Sequence, residues 1–138
     1  MNKMNFYVLI KDTTVSSAVE MNELKDSVIN NVFFFKEYFS GDTSFKRIIL
    51  DWKPLNIKGE RIMITKLKPV FQYHLSLTAS TNEQDYLLAS LQFSDITFDN
   101  NHTKAIVYVI DSGGGFCFLE KANNQWIIKN EITMWTVD

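Results

Sequence analysis

The last third of the chain, from Leu91 to Asp138, constrains the fold most, because it reads as four consecutive β-strands. Apolar runs alternate there with short polar turns, which is typical of an antiparallel meander. The predicted strands cover about Leu91–Phe98, Lys104–Asp111, Phe116–Lys121 and Trp126–Thr136. A four-stranded meander over about residues 91–136 buries one face against a second layer, which fits an α+β domain.

The second of these strands is predicted to lie in the middle of the sheet. Two alternating sets of side chains are both apolar, namely Ile106, Tyr108 and Ile110 against Ala105, Val107 and Val109. A strand that is apolar on both sides has sheet neighbours and is covered on each face. The turns in this part of the chain, Asp99–His102 and Asn123–Asn124, contain asparagine, which tolerates positive φ.

The N-terminal half predicts one main helix over residues 18–40. Its apolar stripe has spacings of three or four residues and consists of Met21, Leu24, Val28, Val32, Phe35 and Phe39. Ser17 and Glu20 have the spacing of a capping box, and Ser40–Gly41 suits a helix end. Asn30–Asn31 has poor helix propensity, so a break near residue 30 stays open. We therefore expect an α+β single domain over residues 1–138, with this helix packed on a curved antiparallel sheet.

The middle of the chain gives shorter predictions. Phe45–Trp52 is predicted to form one or two helical turns ended by Pro54, which lacks an amide donor. Arg61–Thr65 suits a short strand, and Val70–Thr78 alternates as a half-buried strand does. The short apolar run Phe6–Ile10 suits a strand or the first turn of a helix.

Composition excludes several classes of protein. The chain has 138 residues, 46% of them hydrophobic, and a net charge of −2, which argues against a membrane span, disorder and general nucleic-acid binding. Cys117 is the only cysteine, so it forms no internal disulfide, and this favours a reducing compartment. The first apolar run is too short for a signal sequence. We expect a cytoplasmic protein or an exported form whose leader has been removed.

Charge is unevenly distributed along the chain. Residues 43–70 carry seven basic residues against two acidic ones, whereas residues 85–138 carry three basic against seven acidic. The basic residues are Lys46, Arg47, Lys53, Lys58, Arg61, Lys66 and Lys68. They are either part of an ordinary solvated surface or a patch that binds an acidic partner protein.

The tripeptide Gly113–Gly115 suggests backbone contact. A phosphate-binding loop stands between a strand and a helix and is followed by lysine, whereas the residues after these glycines form another predicted strand. Structural explanations are a hairpin or bulge that needs φ > 0, or a close approach of another backbone. Contact of Gly113, Gly114 and Gly115 with a ligand or partner is the functional alternative.

No catalytic or metal-binding constellation stands out in the sequence. Cys117 lies within a predicted strand without a signature around it, and His74 and His102 are separated by 28 residues with no linking motif. No metal, cofactor or catalytic residue is predicted. Aromatic residues are dense in and near the meander, where they form either the core or a pocket. The pocket hypothesis names Tyr73, His74, Tyr108 and Trp126 as ligand-binding residues.

A family resemblance rests on the run from Phe98 to Val109, which reads FDNNHTKAIVYV, together with several residues nearer the C-terminus. Gly113–Gly115, the Leu119–Lys121 tripeptide LEK, Trp126 and Trp135 complete the pattern. It resembles the C-terminal half of small uncharacterised proteins of Bacteroidetes, with the pattern F-x-x-D/N-x-T-x-A-x-V-Y-V, a glycine-rich turn and two tryptophans. More loosely it is similar to the last strands of NTF2-like or cystatin-like domains. The resemblance implies a helix packed into a curved antiparallel sheet and carries no activity.

These features favour a non-enzymatic binding module that engages a partner protein, such as an inhibitor or immunity-type factor. Segregated charge and the lack of a catalytic constellation are the reasons. The alternative is an NTF2-like pocket protein that binds a small apolar ligand, or an enzyme that uses such a pocket. No nucleic acid or membrane partner is expected, and a homo-oligomer stays open.

Overall fold

The computed structural model describes residues 5–33, 35–54 and 74–136, and these residues form an α+β fold, as predicted. The helices are α1 (Ala18–Ile29), α2 (Phe35–Tyr38) and α3 (Ser44–Asp51). The strands are β1 (Asn5–Ile10), β2 (His74–Ser76), β3 (Asp85–Phe98), β4 (Lys104–Ile110), β5 (Gly113–Ala122) and β6 (Gln125–Thr136). The run at Phe6–Ile10 is thus a strand, and the helical turns expected at Phe45–Trp52 are α3.

The six strands form one mixed sheet in the order β2-β1-β3-β4-β5-β6. From β3 to β6 every pairing is antiparallel, so the predicted four-stranded meander is confirmed. The other half differs from the expected antiparallel sheet, because β1 runs parallel to both β2 and β3. Long connections separate β1 from both partners in sequence, and parallel neighbours need such crossovers.

Two strand boundaries differ from the sequence prediction. β3 begins at Asp85, six residues before Leu91, because its first half pairs with β1 while its second half pairs with β4. β5 begins at Gly113, so the three glycines lie inside a strand and only Asp111 and Ser112 connect it to β4. The strand predicted over Val70–Thr78 is described from residue 74 onwards as β2, and Arg61–Thr65 lies outside the described residues.

The predicted long helix is broken after Ile29, near the asparagine pair. Asn31 adopts φ 56°, a left-handed conformation that asparagine tolerates and that ends a helix. The amide of Val32 then donates to the carbonyl of Ser27 at 2.8 Å, which satisfies an otherwise orphaned helical acceptor. Beyond Asn31 the predicted stripe is interrupted, because Val32 is exposed, and Phe39 reaches the core just after the separate, single-turn helix α2.

The start of α1 is fixed by β3 rather than by the predicted capping box. In a capping box the Ser17 amide would donate a hydrogen bond to the Glu20 side chain. Here it donates to Asp95 Oδ1 at 2.8 Å. The Ser17 side chain makes no capping hydrogen bond, and the Ala18 amide donates to Ser16 Oγ instead. The capping-box interpretation is therefore wrong, because a tertiary contact satisfies the same donor.

The core lies between one face of the meander and the helices. Met21, Leu24 and Val28 of α1 and Phe45, Ile48 and Ile49 of α3 pack on Ile106, Tyr108, Phe116 and Phe118. Phe118 is fully buried, and its ring lies 5.0 Å from that of Phe39 and 5.4 Å from that of Phe45. This side of β3–β6 is called the covered face below, and the opposite side is called the open face.

Candidate functional site

The open face is an apolar surface built from four neighbouring strands. Residues paired across antiparallel strands point to the same side, so the register fixes its composition. One row runs through Phe98, Ala105, Leu119 and Ile128, and the next through Ile96, Val107, Cys117 and Glu131. The alternation within β4 puts both rows opposite Ile106 and Tyr108 of the covered face. The core residues contributed by the described helices all pack on that covered face.

Large apolar side chains on the open face are accessible to solvent. Ile96, Phe98, Trp126 and Ile128 are between 40% and 57% exposed, whereas the small residues Ala105 and Val107 between them are buried. Both faces of β4 are thus covered, as predicted. Helices cover one face, and larger side chains of the neighbouring strands cover the other. Trp126 is among the binding residues predicted from the sequence, whereas Ile96, Phe98 and Ile128 are not.

Phe98 and Trp126 form an aromatic projection at one end of the open face. Their ring centroids are 5.8 Å apart, and the centroid of the His102 ring lies 4.9 Å from that of Phe98. His102 takes φ 54° in the β3–β4 turn, so histidine and not asparagine adopts the left-handed conformation predicted for this turn. The Phe98–Trp126 pair is called the aromatic knob below.

The turn beside the knob is held by Asp99. Its carboxylate accepts hydrogen bonds from the Thr103 amide and hydroxyl, each at 2.7 Å, and from the Lys104 amide at 3.0 Å. Burial acts to raise the pKa of Asp99, but the hydrogen bonds donated by Thr103 and Lys104 outweigh it and lower that pKa. The knob therefore stands on a turn that is well ordered by hydrogen bonds.

A hollow of about 340 Å³ lies at the other end of the open face, beside the glycines. Val109, Cys117, Glu131 and Thr133 supply lining side chains, and Gly113–Gly115 supply bare backbone. Side chains at Gly113 and Gly115 would collide with the carbonyl oxygens of β6, and the β5–β6 register shifts between Gly114 and Gly115. Of the structural explanations for the glycines, the close approach of another backbone at a bulge is the one found. None of the three has positive φ.

Gly114 has a different neighbour, because it points to the covered face. A Cβ atom there would collide with the hydroxyl of Tyr108 and the indole of Trp135. Trp135 Nε1 donates to the Tyr108 hydroxyl at 2.6 Å, and Tyr108 itself is 2% exposed within the core. Burial raises the pKa of Tyr108 above its usual value.

The predicted pocket residues are not brought together where the structure describes them. Tyr108 lies on the covered face inside the core, and Trp126 lies on the open face five residues further along β5. Tyr73 and the side chain of His74 lie outside the described part of the chain.

Cys117 lies on the open face at the edge of the glycine hollow. Burial raises the pKa of its thiol to about 11, and the carboxylates of Glu131 and Asp111 act in the same direction. A nucleophilic cysteine needs a lowered pKa, so this environment keeps the thiol protonated at neutral pH. His102 lies beside Phe98 at the opposite end of the face, with the two rings tilted by 44°, and is no partner for Cys117.

One member of the predicted basic patch lines a second cleft, of about 320 Å³, between α3 and the β3–β4 turn. Arg47 lines it together with Asp51 and Asp99, so its charges are mixed. Lys53 lines a separate hollow that also contacts Asp51, while Lys46 is half-buried on α3. The remaining members of the predicted patch, Lys58, Arg61, Lys66 and Lys68, lie outside the described residues.

Within residues 5–33, 35–54 and 74–136, no group of side chains could hold a metal ion, and no helix is long and apolar enough to cross a membrane. Comparison with protein families, curated proteins and solved structures yields no match. Function is therefore argued from the surface itself.

Proposed function

We propose that this chain is a non-enzymatic binding module that engages a partner protein through the open face of its sheet, as an inhibitor or immunity-type factor does. The single observation that carries the proposal is the exposure of Ile96, Phe98, Trp126 and Ile128 on one continuous face. Apolar patches of this kind mark interaction sites on soluble domains, and aromatic residues dominate binding energy at such sites.

The surroundings of the patch support protein binding over the alternatives. A small-ligand pocket would enclose its aromatic residues, whereas Tyr108 is packed in the core and Trp126 stands on an open surface. An enzyme that used Cys117 would lower the pKa of the thiol, and here burial raises it. A broad face with exposed apolar side chains offers contact area, which is what a protein partner needs.

Paired variants test the proposal. The wild-type chain, Trp126→Ser and Ile128→Ser are used to capture proteins from cells of the native host, and a partner identified by mass spectrometry is then purified. Binding of that partner is measured by calorimetry. Loss of an interface anchor costs about 2 kcal/mol, so each variant is expected to bind roughly 30-fold more weakly.

Val19→Ser is the matched control, because Val19 is an exposed apolar residue of α1, away from the sheet. It should bind as the wild type does. Equal affinity of all four proteins for the purified partner would refute binding through the open face. Circular dichroism of each variant separates a lost contact from a lost fold.

A further inference from the structure

The two ends of the open face have opposite shapes. Trp126 of the aromatic knob pairs with Lys121, and Thr133 of the hollow pairs with Gly115, so the knob and the hollow are six residues apart along β5. At about 3.4 Å per residue this separation is about 20 Å. One end of the face projects, and the other recedes because glycine supplies no side chain.

The two ends also have opposite charge. Lys121 shares the open face with Trp126 at the knob end. Glu131 and Asp111 line the hollow, and Glu131 lies opposite Cys117 in the register of β5 with β6. Neither Lys121 nor Glu131 forms an ion pair with another described residue. Their charges are therefore available to a molecule that covers the face.

A surface with these two ends is complementary to itself. Consider a two-fold axis that lies in the plane of the interface, perpendicular to β5, and crosses β5 at the level of Phe118. This axis exchanges the two ends of the face. It brings the knob of one copy over the hollow of the other and Lys121 near the acidic groups, and both contacts occur twice. We infer that the protein which the open face binds is a second copy of this chain, packed face to face. This inference rests on the proposed function, since it names the partner of the same surface.

The flat projection of the face supplies more than half of the area that such a dimer needs. Four strands spaced about 4.8 Å apart, over eight residues of about 3.4 Å, give a projected area of roughly 500 Å². The relief of the side chains adds to that figure, and a stable interface needs about 800 Å² per partner. Two sheets packed in this way form a sandwich with an apolar layer between them.

Pairing of two β6 strands edge to edge is the competing arrangement, and the geometry of β6 opposes it. The β5–β6 register shifts twice, between Phe118 and Leu119 and between Gly114 and Gly115. Bulges twist an edge away from a regular ladder, and a lysine on the edge, here Lys129, adds a desolvation cost. The face of the sheet is the better surface for a second copy.

Charge exchange at Lys121 and Glu131 tests the inference. The oligomeric state of the whole chain is measured by sedimentation velocity over a concentration series at low salt. The wild type is expected to dimerise, and Lys121→Glu and Glu131→Lys should each weaken dimerisation at least tenfold, because each places like charges opposite one another twice. The double variant K121E/E131K should dimerise as the wild type does.

Mixing the two single variants gives the sharpest result. In a mixed dimer, Lys121→Glu supplies acids at both positions and Glu131→Lys supplies lysines at both, so every contact is again attractive. The mixture should therefore form heterodimers more tightly than either variant alone. Trp126→Ser, which removes two anchors from each dimer, should weaken association at least a hundredfold. Both charged residues are exposed or half-exposed, so folding is not at risk.

The outcomes separate the inference from the proposed function. A wild-type chain that stays monomeric, yet binds a purified partner in a manner sensitive to Trp126→Ser, overturns the inference alone. A monomer whose binding of that partner is insensitive to Trp126→Ser and Ile128→Ser overturns both. The inference is also overturned if the wild type dimerises, Trp126→Ser dimerises equally well, and a mixture of the two charge variants associates no more tightly than either alone. The dimer then forms through another surface.

Discussion

Replacement of Gly114 by alanine should destabilise the fold through one identifiable pair of side chains. The new Cβ would meet the Tyr108 hydroxyl and the Trp135 indole, which are hydrogen-bonded to each other. Overpacking a core costs about 1–3 kcal/mol, and the hydrogen bond at risk is worth about 1 kcal/mol. Restriction of the unfolded chain returns about 0.4–1 kcal/mol. We expect Gly114→Ala to lower the free energy of unfolding by about 1–3 kcal/mol.

Removal of the Tyr108 hydroxyl should relieve much of that cost. Tyr108→Phe alone removes the hydrogen bond and should lower the free energy of unfolding by about 0.5–1.5 kcal/mol. The cost is modest because Trp135 is 44% exposed, so its indole N–H can donate to water instead. In the Tyr108→Phe background the nearest obstacle to the Cβ at Gly114 is absent, and the exposed indole can move outwards. The double-mutant cycle should therefore show a coupling of about 1 kcal/mol.

Urea denaturation at one fixed protein concentration measures all four members of the cycle. Gly113→Ala and Gly115→Ala are the controls, because their Cβ atoms would meet backbone carbonyls of Trp135 and Ile132. Tyr108→Phe should leave the cost of both controls unchanged. Additivity of Gly114→Ala and Tyr108→Phe within about 0.5 kcal/mol would refute the proposed role of the glycine.

Four other substitutions or reactions have outcomes that the structure predicts. Cys117 should react with a thiol reagent far more slowly in the folded than in the urea-unfolded chain at pH 8, and the folded rate should rise towards pH 11, because the pKa of the thiol is about 11. Asp99→Asn should reduce the free energy of unfolding at pH 7 but not in acid. The pKa of Asp99 is lower in the folded than in the unfolded chain, so its carboxylate stabilises the fold above the unfolded pKa. This stabilisation is lost as the pH falls through the folded pKa. Ser94→Ala should cost about 1–3 kcal/mol in urea denaturation, since the buried Tyr108 amide loses its acceptor at 2.9 Å. Asn124→Gly should keep or raise the denaturation midpoint, whereas alanine at φ 63° should lower the free energy of unfolding by about 1 kcal/mol.

Local sequence signals predicted the meander because its turns and strands are encoded by neighbouring residues. Asn123 and Asn124 both have positive φ, as a two-residue hairpin requires, and β4 alternates as expected. The helix predicted over residues 18–40 ends at Ile29 and is followed by the left-handed residue Asn31, although Phe39 at the far end of the predicted stripe still packs in the core. Ser17 likewise has the right spacing for a capping box, yet Asp95, 78 residues further along, takes its amide.

The position of the glycines illustrates a different limit. A run of three suggested a connection, and the strand actually begins at Gly113, since β6 approaches too closely for side chains on this part of β5. Close approach is a property of two strands that are about twenty residues apart in sequence. Glycine makes such an approach possible, and the register of β5 with β6 decides where it occurs.

Local sequence patterns did not predict the open face either, because it too depends on elements that are distant in sequence. Alternation separates the two faces of a strand but does not say which face the helices cover. Tyr108 and Trp126 have similar chemistry and both were assigned to one pocket, yet the helices cover the side of Tyr108 and leave that of Trp126 exposed. Because α1 and α3 supply one apolar layer and the meander has two apolar sides, one side is left without an intramolecular partner among the described elements. That imbalance, more than any single residue, is the physical reason to expect association through this sheet.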